Sequence, residues 1–186
     1  NETFDGVDKR FSEIIWEMGF LPITASNSVG ANVSYIDALA PDAILLTGGN
    51  DIGTAPDRDA TERAMLDFSI VKNLPVFGIC RGMQMINSYQ GGSLISTQGH
   101  VSTRHLITGA LCTQSREVNS FHNMSISQKT LGQDLEILAV AQDGCVEAFR
   151  HISLPWLAVM WHPERENPIN NFDLEFLFSH LDQASG

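Results

Sequence analysis

The chain has 186 residues and an apolar fraction of 43%, which is enough for one domain with a substantial core. Its formal net charge of −11 argues against nucleic acid or an anionic membrane surface as the main partner. No apolar run is long enough to span a bilayer. The three cysteines form no CxxC pair and no paired framework, so reduced thiols and a cytoplasmic location are expected.

The first half of the chain alternates helical and extended patterns. Apolar residues recur at helical spacing from Phe11 to Met18, and Gly19 follows as a stop signal. The remaining elements predicted here are a short strand over Phe20–Ile23, a buried strand over Ala43–Thr47, a helix over Asp59–Lys72, a strand that ends at Cys80 and a helix over Arg81–Tyr89.

The second half is richer in strand patterns. The stretch Ser93–Thr130 predicts only short β-like pieces, and later elements are strands over Leu135–Ala141, Val146–Arg150 and Trp156–Met160 and a helix over Asn171–Leu181. Together these predict an α/β fold, a three-layer αβα arrangement with a largely parallel central sheet whose later strands are partly antiparallel. The chain opens directly in a helix. We therefore expect a single domain, residues 1–186, that lacks the first strand of a doubly wound sheet.

Cys80 is the most informative residue. An apolar strand pattern runs into Gly78-Ile79-Cys80-Arg81-Gly82 and continues as a helix. This is the sequence form of a nucleophile elbow, in which a strained strand-to-helix turn projects one side chain above the sheet edge. The start of the helix also favours the thiolate. Taken alone, the pattern fits a buried structural cysteine equally well.

His162 and Glu164 follow a second apolar strand in the run Trp161-His162-Pro163-Glu164. Two residues apart in an extended segment, they project to the same side, so the carboxylate can fix the tautomer of the imidazole. The free ring nitrogen can then activate Cys80, which gives a nucleophile, a base and an orienting acid. A His-Pro-Glu tripeptide alone is more often a surface turn. In combination with the elbow cysteine and the buried strand, it favours a catalytic role.

Gly48 and Gly49 end the strand Ala43–Thr47, where an unpaired N–H group can face an incoming oxyanion. The backbone N–H groups of Gly49 and Arg81 are the predicted oxyanion hole. An ordinary glycine turn is the alternative.

The order of Cys80, His162 and Glu164 along the chain argues against an α/β-hydrolase, which places its acid between the nucleophile and the histidine. Cys80 followed by His162-x-Glu164, after a strand and Gly-Gly, resembles the class I glutamine amidotransferase superfamily, and more closely its γ-glutamyl hydrolase branch, peptidase family C26. The resemblance extends from Phe11 onward. Its motifs are Gly48–Asp51, Arg58-Asp59-x-x-Glu62, Gly78–Gln84, Gly91-Gly92-x-Leu94 and His162–Glu164. Three further runs, Val118–Asn123, Val146–His151 and Met160–Glu166, resemble small hydrolases that cleave γ-glutamyl-CDP-amidate during phosphoramidate decoration of bacterial surface polysaccharide.

The resemblance implies hydrolysis of a γ-glutamyl amide through a γ-glutamyl thioester on Cys80, with release of glutamate. It also implies a small-molecule γ-glutamyl substrate, which can be nucleotide-linked, and neither a cofactor nor a metal ion. The residues that it assigns to substrate binding are Gln84, Asn50, Asn119, Ser120, Phe121, His122 and Asn123. For the segment Ser120–Asn123, a capping loop is the competing interpretation.

The leaving half of the substrate is harder to predict. Arg81, Arg104, Arg150 and Arg165, with His100 and His105, are the cationic groups closest to these motifs in sequence, and guanidinium groups suit phosphate. Each of them alone is more simply a surface ion pair. Two other functions stay open: a glutaminase subunit that delivers ammonia to a separate synthetase, and a binding module that has kept the fold without activity. None of the six histidines forms a metal-binding motif with another, so metal catalysis is not expected.

Overall fold

The computed structural model describes residues 2 and 4–182. Its helices are α1 (Lys9–Glu17), α2 (Val33–Leu39), α3 (Pro56–Lys72), α4 (Arg81–Tyr89) and α5 (Asn171–Leu181). Its strands are β1 (Ile44–Leu46), β2 (Val76–Ile79), β3 (Ile95–Ser96), β4 (Val101–Gly109), β5 (Cys112–Phe121), β6 (Met124–Ser125), β7 (Leu135–Ala141), β8 (Val146–His151) and β9 (Trp156–Val159). Short 3₁₀ turns occupy Gln128–Thr130 and Pro163–Arg165.

The main sheet has seven strands in the order β1-β2-β9-β8-β7-β4-β5, and β3 pairs separately with β6. β1, β2 and β9 are parallel, with Leu46 opposite Gly78 and Ile79 opposite Val159. The pairings from β9 through β8, β7 and β4 to β5 are antiparallel. The parallel strands β2 and β9 lead to Cys80 and His162. The later strands are antiparallel, as predicted for part of them.

Hydrophobic cores lie on both faces of the sheet, because side chains alternate along each strand. Val76 of β2 and Ala158 of β9 belong to a core that includes residues of α2, α3 and α4, whereas Phe77 and Val159 belong to a second core with residues of α1 and α5. The continuous apolar sequences of β2 and β9 follow from burial on both faces. This arrangement confirms the predicted three-layer α/β fold.

Within the described residues, β1 is an edge strand. A cleft of about 470 Å³ runs beside it, and its walls include Phe11 and Ile15 of α1 and Met65 of α3. The expectation that a first strand is lacking stays a prediction. In the part of the chain that the structure describes, no helix is long and apolar enough to cross a bilayer.

Two secondary-structure predictions were wrong. Phe20–Ile23 is irregular rather than a strand, and Leu21 and Ile23 are exposed, so the apolar sequence there does not reflect burial. Ser93–Thr130 holds the two longest strands of the sheet, β4 and β5, rather than short pieces. Their polar sequences follow from one largely solvent-facing hairpin, in which most β4 positions are at least partly exposed.

Candidate active site

Cys80 occupies the turn between β2 and α4 with φ 50° and ψ −103°, a conformation that costs free energy for a non-glycine residue. Its N–H donates to the carbonyl of Val159 at 2.8 Å, which ties the turn to the end of β9. The glycine two residues later is needed for packing. A Cβ on Gly82 would lie 2.1 Å from the carbonyl oxygen of Leu46, so only glycine lets α4 begin this close to β1.

The Cys80 thiol is buried, with 6% of the residue exposed. Burial raises the pKa of Cys80 to about 12, against the opposing effect of a hydrogen bond from the backbone N–H of Arg81. In the free protein at neutral pH the thiol therefore keeps its proton. A nucleophilic reaction at Cys80 needs a base beside it.

His162 follows β9 and is 3% exposed. Its Nδ1 lies 2.6 Å from Oε1 of Glu164, which is also buried. Because a carboxylate only accepts, this contact places the imidazole proton on Nδ1 and leaves Nε2 as the free base. No described residue gives a hydrogen bond to the second carboxylate oxygen of Glu164, and the Arg165 guanidinium lies 3.7 Å from the first.

Gly48 shows where the His162 ring lies. A Cβ on Gly48 would be 2.6 Å from Cε1 of His162. Gly48 follows β1 and His162 follows β9, and β2 lies between those strands in the sheet. The imidazole therefore reaches across the end of β2, where Cys80 stands, and the structure brings the three predicted catalytic residues to one edge of the sheet.

Asn119 of β5 holds the backbone of His162 from the other side. Its Oδ1 accepts from the His162 N–H at 2.9 Å, and its Nδ2 donates to the His162 carbonyl at 2.8 Å and to Glu166 Oε1 at 2.7 Å. Both N–H donors of this amide are in use. The sequence assigned Asn119 to substrate binding, whereas its side-chain contacts are those of a residue that positions His162.

The predicted oxyanion-hole turn is held by Arg58 of α3. The Arg58 guanidinium donates to the carbonyls of Thr47 at 2.8 Å and Gly48 at 3.1 Å. Gly49 has φ 150°, and a Cβ there would lie 2.3 Å from Arg58 Nη1, so the position requires glycine. These contacts fix the two carbonyls that precede Gly49. Because the Gly48 carbonyl and the Gly49 N–H belong to one planar peptide group, they also fix the direction of that N–H.

Arg58 belongs to a buried ion-pair network with Glu62, Arg81 and Asp59. Arg58 Nε lies 2.8 Å from Glu62 Oε1. Arg81 pairs with Glu62 and with Asp59, and its side chain is 1% exposed. The network joins the glycine turn to the first residue of α4. Arg58-Asp59-x-x-Glu62 belongs to the motifs of the sequence resemblance, but the sequence indicates no role for it. Of the network, only the ion pair between Arg58 and Glu62 could be expected from the sequence, because the two residues are four apart on one helix.

The other predicted binding residues fall into two groups. Gln84 is buried and donates to the carbonyl of Met124 at 3.0 Å, and the hydroxyl of Ser120 donates to the carbonyl of His100 at 2.7 Å. His122 is buried in a cluster of histidines.

The second group is exposed. Phe121 packs edge-on against His162 with ring centroids 5.7 Å apart, and Asn123 is exposed nearby in the chain. Asn50 is exposed beside the glycine turn, where its Oδ1 accepts from Arg58 at 3.2 Å. The structure thus places Phe121 and Asn50 next to the site.

The structure separates the cationic groups that the sequence grouped together. Arg81 is buried in the ion-pair network, and Arg150 pairs with Glu136 at the opposite end of β8 from Glu147. Arg104 pairs with Glu117 and Glu166. Arg165 lies over Phe121, with its guanidinium carbon 4.3 Å from the centroid of the ring that packs against His162.

An elbow cysteine beside a buried histidine–glutamate pair, at the carboxyl edge of parallel strands, is the arrangement that acyl-transferring cysteine hydrolases use. The sequence profile of the family Glutamine amidotransferase class-I matches residues 7–183. The chain therefore belongs to the class I glutamine amidotransferases, as the sequence resemblance indicated.

Relatives within this family differ in what they do. A γ-glutamyl-CDP-amidate hydrolase of Campylobacter jejuni is 32% identical over 172 residues, which cover 89% of this chain and 82% of that protein. The carbamoyl phosphate synthase small chain of Staphylococcus haemolyticus is 32% identical over 83% of this chain, but only 44% of its own length is matched. A solved structure from Thermoplasma acidophilum, of a protein assigned as one of the subunits of GMP synthase, has a TM-score of 0.79 and 21% identity and covers 95% of this chain and 87% of its own. The structural similarity supports the fold, and membership of the family supports an amidohydrolase activity.

Proposed function

We propose that the protein hydrolyses a γ-glutamyl amide bond through a γ-glutamyl thioester, with Cys80 as nucleophile, His162 as general base and acid, and Glu164 as the residue that orients His162. The observation that carries this proposal is the position of the His162 ring, which is hydrogen-bonded to Glu164 at 2.6 Å and reaches across the end of β2 to Gly48.

The pKa of the buried thiol determines the order of proton transfers. Because burial raises the pKa of Cys80 to about 12, proton transfer to His162 Nε2 accompanies attack of sulfur on the γ-carbonyl carbon. The protonated His162 then gives its proton to the leaving nitrogen, and the C–N bond breaks. Water, deprotonated by His162, attacks the thioester and releases glutamate and the free thiol.

The tetrahedral oxyanion forms beside two backbone donors, the N–H groups of Gly49 and Arg81. Arg58 holds the two carbonyls that precede the first donor in the chain, those of Thr47 and Gly48. The second donor is the first residue of α4, where the positive end of the helix dipole adds to the effect. Loss of one such donor typically costs about 100- to 1000-fold in rate.

Gln84 and the segment Ser120–Asn123 are the proposed site for the glutamyl group. Gln84 and Ser120 are tied to Met124 and His100 through backbone carbonyls, so both are held in fixed positions. Asn50 is exposed beside the oxyanion turn and completes this set.

The preferred substrate is γ-glutamyl-CDP-amidate or a related γ-glutamyl conjugate, in the synthesis of phosphoramidate groups on bacterial surface polysaccharide. The similarity to the Campylobacter jejuni hydrolase over 89% of the chain supports this choice. Arg165, stacked on Phe121 beside His162, is the guanidinium best placed for a phosphate in the leaving group.

Glutamate release from a panel of γ-glutamyl compounds tests the chemistry and the substrate together. The panel contains γ-glutamyl-CDP-amidate, glutamine and simple γ-glutamyl amines, with products identified by mass spectrometry. Cys80→Ala should abolish release. Cys112→Ala, at the first residue of β5, is the matched control. Equal release by the native protein and Cys80→Ala would overturn the proposed chemistry, and preferential turnover of a simple amine would overturn only the nucleotide-linked substrate.

A second candidate function is a glutaminase subunit that delivers ammonia to a partner synthetase. The similarity to a carbamoyl phosphate synthase small chain favours it. In that case glutamine hydrolysis by the isolated chain should be slow and should rise when a synthetase binds. Rapid turnover of γ-glutamyl-CDP-amidate by the isolated chain would exclude it.

A further inference from the structure

Three histidines and one glutamate converge beside the proposed substrate segment. They are His100, which immediately precedes β4, His105 of β4, His122, which immediately follows β5, and Glu147 of β8. Glu147 is fully buried, and among the described residues no hydrogen bond of good geometry reaches either of its carboxylate oxygens. Its neighbours are the imidazoles of His100, His105 and His122, at 3.3–3.7 Å. A buried carboxylate held only by such long contacts is costly, so this group requires an explanation.

The neighbours of His122 determine which of its ring nitrogens carries the proton. Its Nδ1 lies 3.0 Å from the carbonyl oxygen of Met124, which can only accept. The hydroxyl of Ser125 is 3.2 Å from the same nitrogen and can accept as well. The proton is therefore on Nδ1, and Nε2 presents a bare lone pair.

The same reasoning applies to His100. Its Nε2 lies 2.8 Å from Oδ2 of Asp143, so the proton belongs on Nε2 and the lone pair on Nδ1. A carboxylate that holds the far nitrogen of an imidazole is the usual arrangement around a metal-binding histidine.

Three electron-pair donors consequently face one another with no proton between them. His100 Nδ1 is 3.3 Å from His122 Nε2, and Glu147 Oε1 is 3.7 Å from the first and 3.6 Å from the second. The two distances to Glu147 are too long for hydrogen bonds. In a tetrahedral zinc site with Zn–N near 2.0–2.1 Å, neighbouring ligand atoms are about 3.3–3.4 Å apart. The three distances thus resemble one face of a coordination tetrahedron.

His105 supplies a fourth donor. Its Nε2 is 3.3 Å from Oε2 of Glu147, and ligand atoms of His100, His105 and Glu147 all lie within 4.8 Å of one another. We propose that His100, His105, His122 and Glu147 form a binding site for a divalent transition-metal ion of the zinc type. Sequence reasoning missed the site because its ligands come from three separate parts of the chain and have no motif spacing.

The site also has a consequence for substrate binding, which rests on the proposed function. The carbonyl of Met124 accepts from both His122 and Gln84, and the carbonyl of His100 accepts from Ser120. A metal ion would therefore fix the ring and backbone that hold the proposed glutamyl-binding residues. The role is positional, because Cys80, His162 and Glu164 supply the chemistry.

A rival arrangement uses a proton instead of a metal ion. Protons on His122 Nε2 and His105 Nε2 would face His100 Nδ1 and Glu147 Oε2, each 3.3 Å away, and would pair the carboxylate with imidazolium through a long, poorly aligned contact. Another metal arrangement uses His100 with Asp143 and Cys145, whose ligand atoms also lie within 4.8 Å of one another. The experiment distinguishes all three.

The direct test is zinc binding by the whole chain, measured as metal content after dialysis and by competition with a chromogenic chelator. We expect one zinc ion per chain, and at least a 100-fold loss of affinity in Glu147→Gln. Glu136→Gln, which removes an exposed carboxylate from neighbouring β7, is the matched control and should bind as the native protein does. No stoichiometric zinc in folded native protein would overturn the proposal in favour of the proton.

A spectroscopic measurement on the native protein keeps the proposal testable if Glu147→Gln does not fold. X-ray absorption of the zinc-loaded protein should show nitrogen and oxygen ligands with imidazole scattering and no sulfur. The cobalt-loaded protein should likewise lack a sulfur-to-metal charge-transfer band, and Cys145→Ser should bind unchanged. A sulfur ligand, or loss of zinc in Cys145→Ser, would overturn the assignment. These outcomes are independent of turnover, so failure of the metal site and failure of the proposed hydrolysis can be told apart.

Discussion

Replacing Gly48 by alanine tests the position of the proposed catalytic histidine, His162, with one methyl group. The new Cβ would lie 2.6 Å from Cε1 of His162, whereas carbon atoms in contact are normally 3.5–4.0 Å apart. Gly48 lies outside the left-handed region of backbone conformations, so alanine fits its backbone and the effect falls on the ring. The imidazole must move by roughly 1 Å away from the end of β1.

A displacement of about 1 Å in a catalytic group costs on the order of 100-fold in rate. We therefore expect kcat for glutamate release to fall about 100-fold in Gly48→Ala, or about 2.7 kcal/mol in activation free energy. KM should change less, because most of the proposed glutamyl-binding residues, Gln84 and Ser120–Asn123, lie on other elements. The assay is initial-rate hydrolysis of the best γ-glutamyl donor, with circular dichroism and the melting temperature as tests of folding.

Gly6→Ala is the matched control, since a Cβ there would meet nothing within 4 Å. It should leave kcat and the melting temperature unchanged. If Gly48→Ala folds as the native protein does and keeps more than about half of its kcat, the ring of His162 does not act where the structure places it, and the proposed mechanism fails.

Three further predictions concern the supports of the site and the state of the thiol. Asn119→Ala leaves the buried N–H and carbonyl of His162 unpaired, so the free energy of unfolding in urea should fall by about 1–3 kcal/mol and kcat should fall with it; unchanged stability would contradict the contacts. Because burial raises the pKa of Cys80 to about 12, its alkylation by iodoacetamide should rise about tenfold per pH unit from pH 8 to 11, whereas a plateau near neutral pH would show a thiolate paired with imidazolium instead. Arg81→Gln leaves Oε2 of Glu62 without its buried partner while Oε1 keeps Arg58, so the free energy of unfolding should fall by about 1–3 kcal/mol in chemical denaturation; unchanged stability would show that the Arg81 pair is not a structural support.

The elements that the sequence predicted best are those whose pattern arises from burial within one segment. β2 and β9 are buried on both faces and read as continuous apolar runs, and α4 begins where the apolar run ends in glycine. The hairpin of β4 and β5 was missed because much of its surface faces solvent, which leaves little apolar periodicity to detect. The opposite error at Phe20–Ile23 arose because apolar side chains there are exposed.

The site shows the same division. His162 and Glu164 lie two residues apart, so their hydrogen bond can be predicted from one short segment of sequence. The contact of Asn119 with His162 spans 43 positions, and the convergence on Glu147 joins segments of β4, β5 and β8. No local pattern encodes either one, because side chains from different segments meet only when the sheet has formed.

The reach of Asn119 also has a consequence for folding. β5 and β9 are separated in the sheet by β8, β7 and β4, yet a β5 side chain holds the backbone of His162. The hairpin meets β7 through only two register pairs, Ile107 with Ala141 and Thr108 with Val140. Opening of this one hairpin would release His162 from Asn119 while β1, β2 and β9 stay paired. Activity should therefore be lost by local opening before the parallel part of the sheet unfolds.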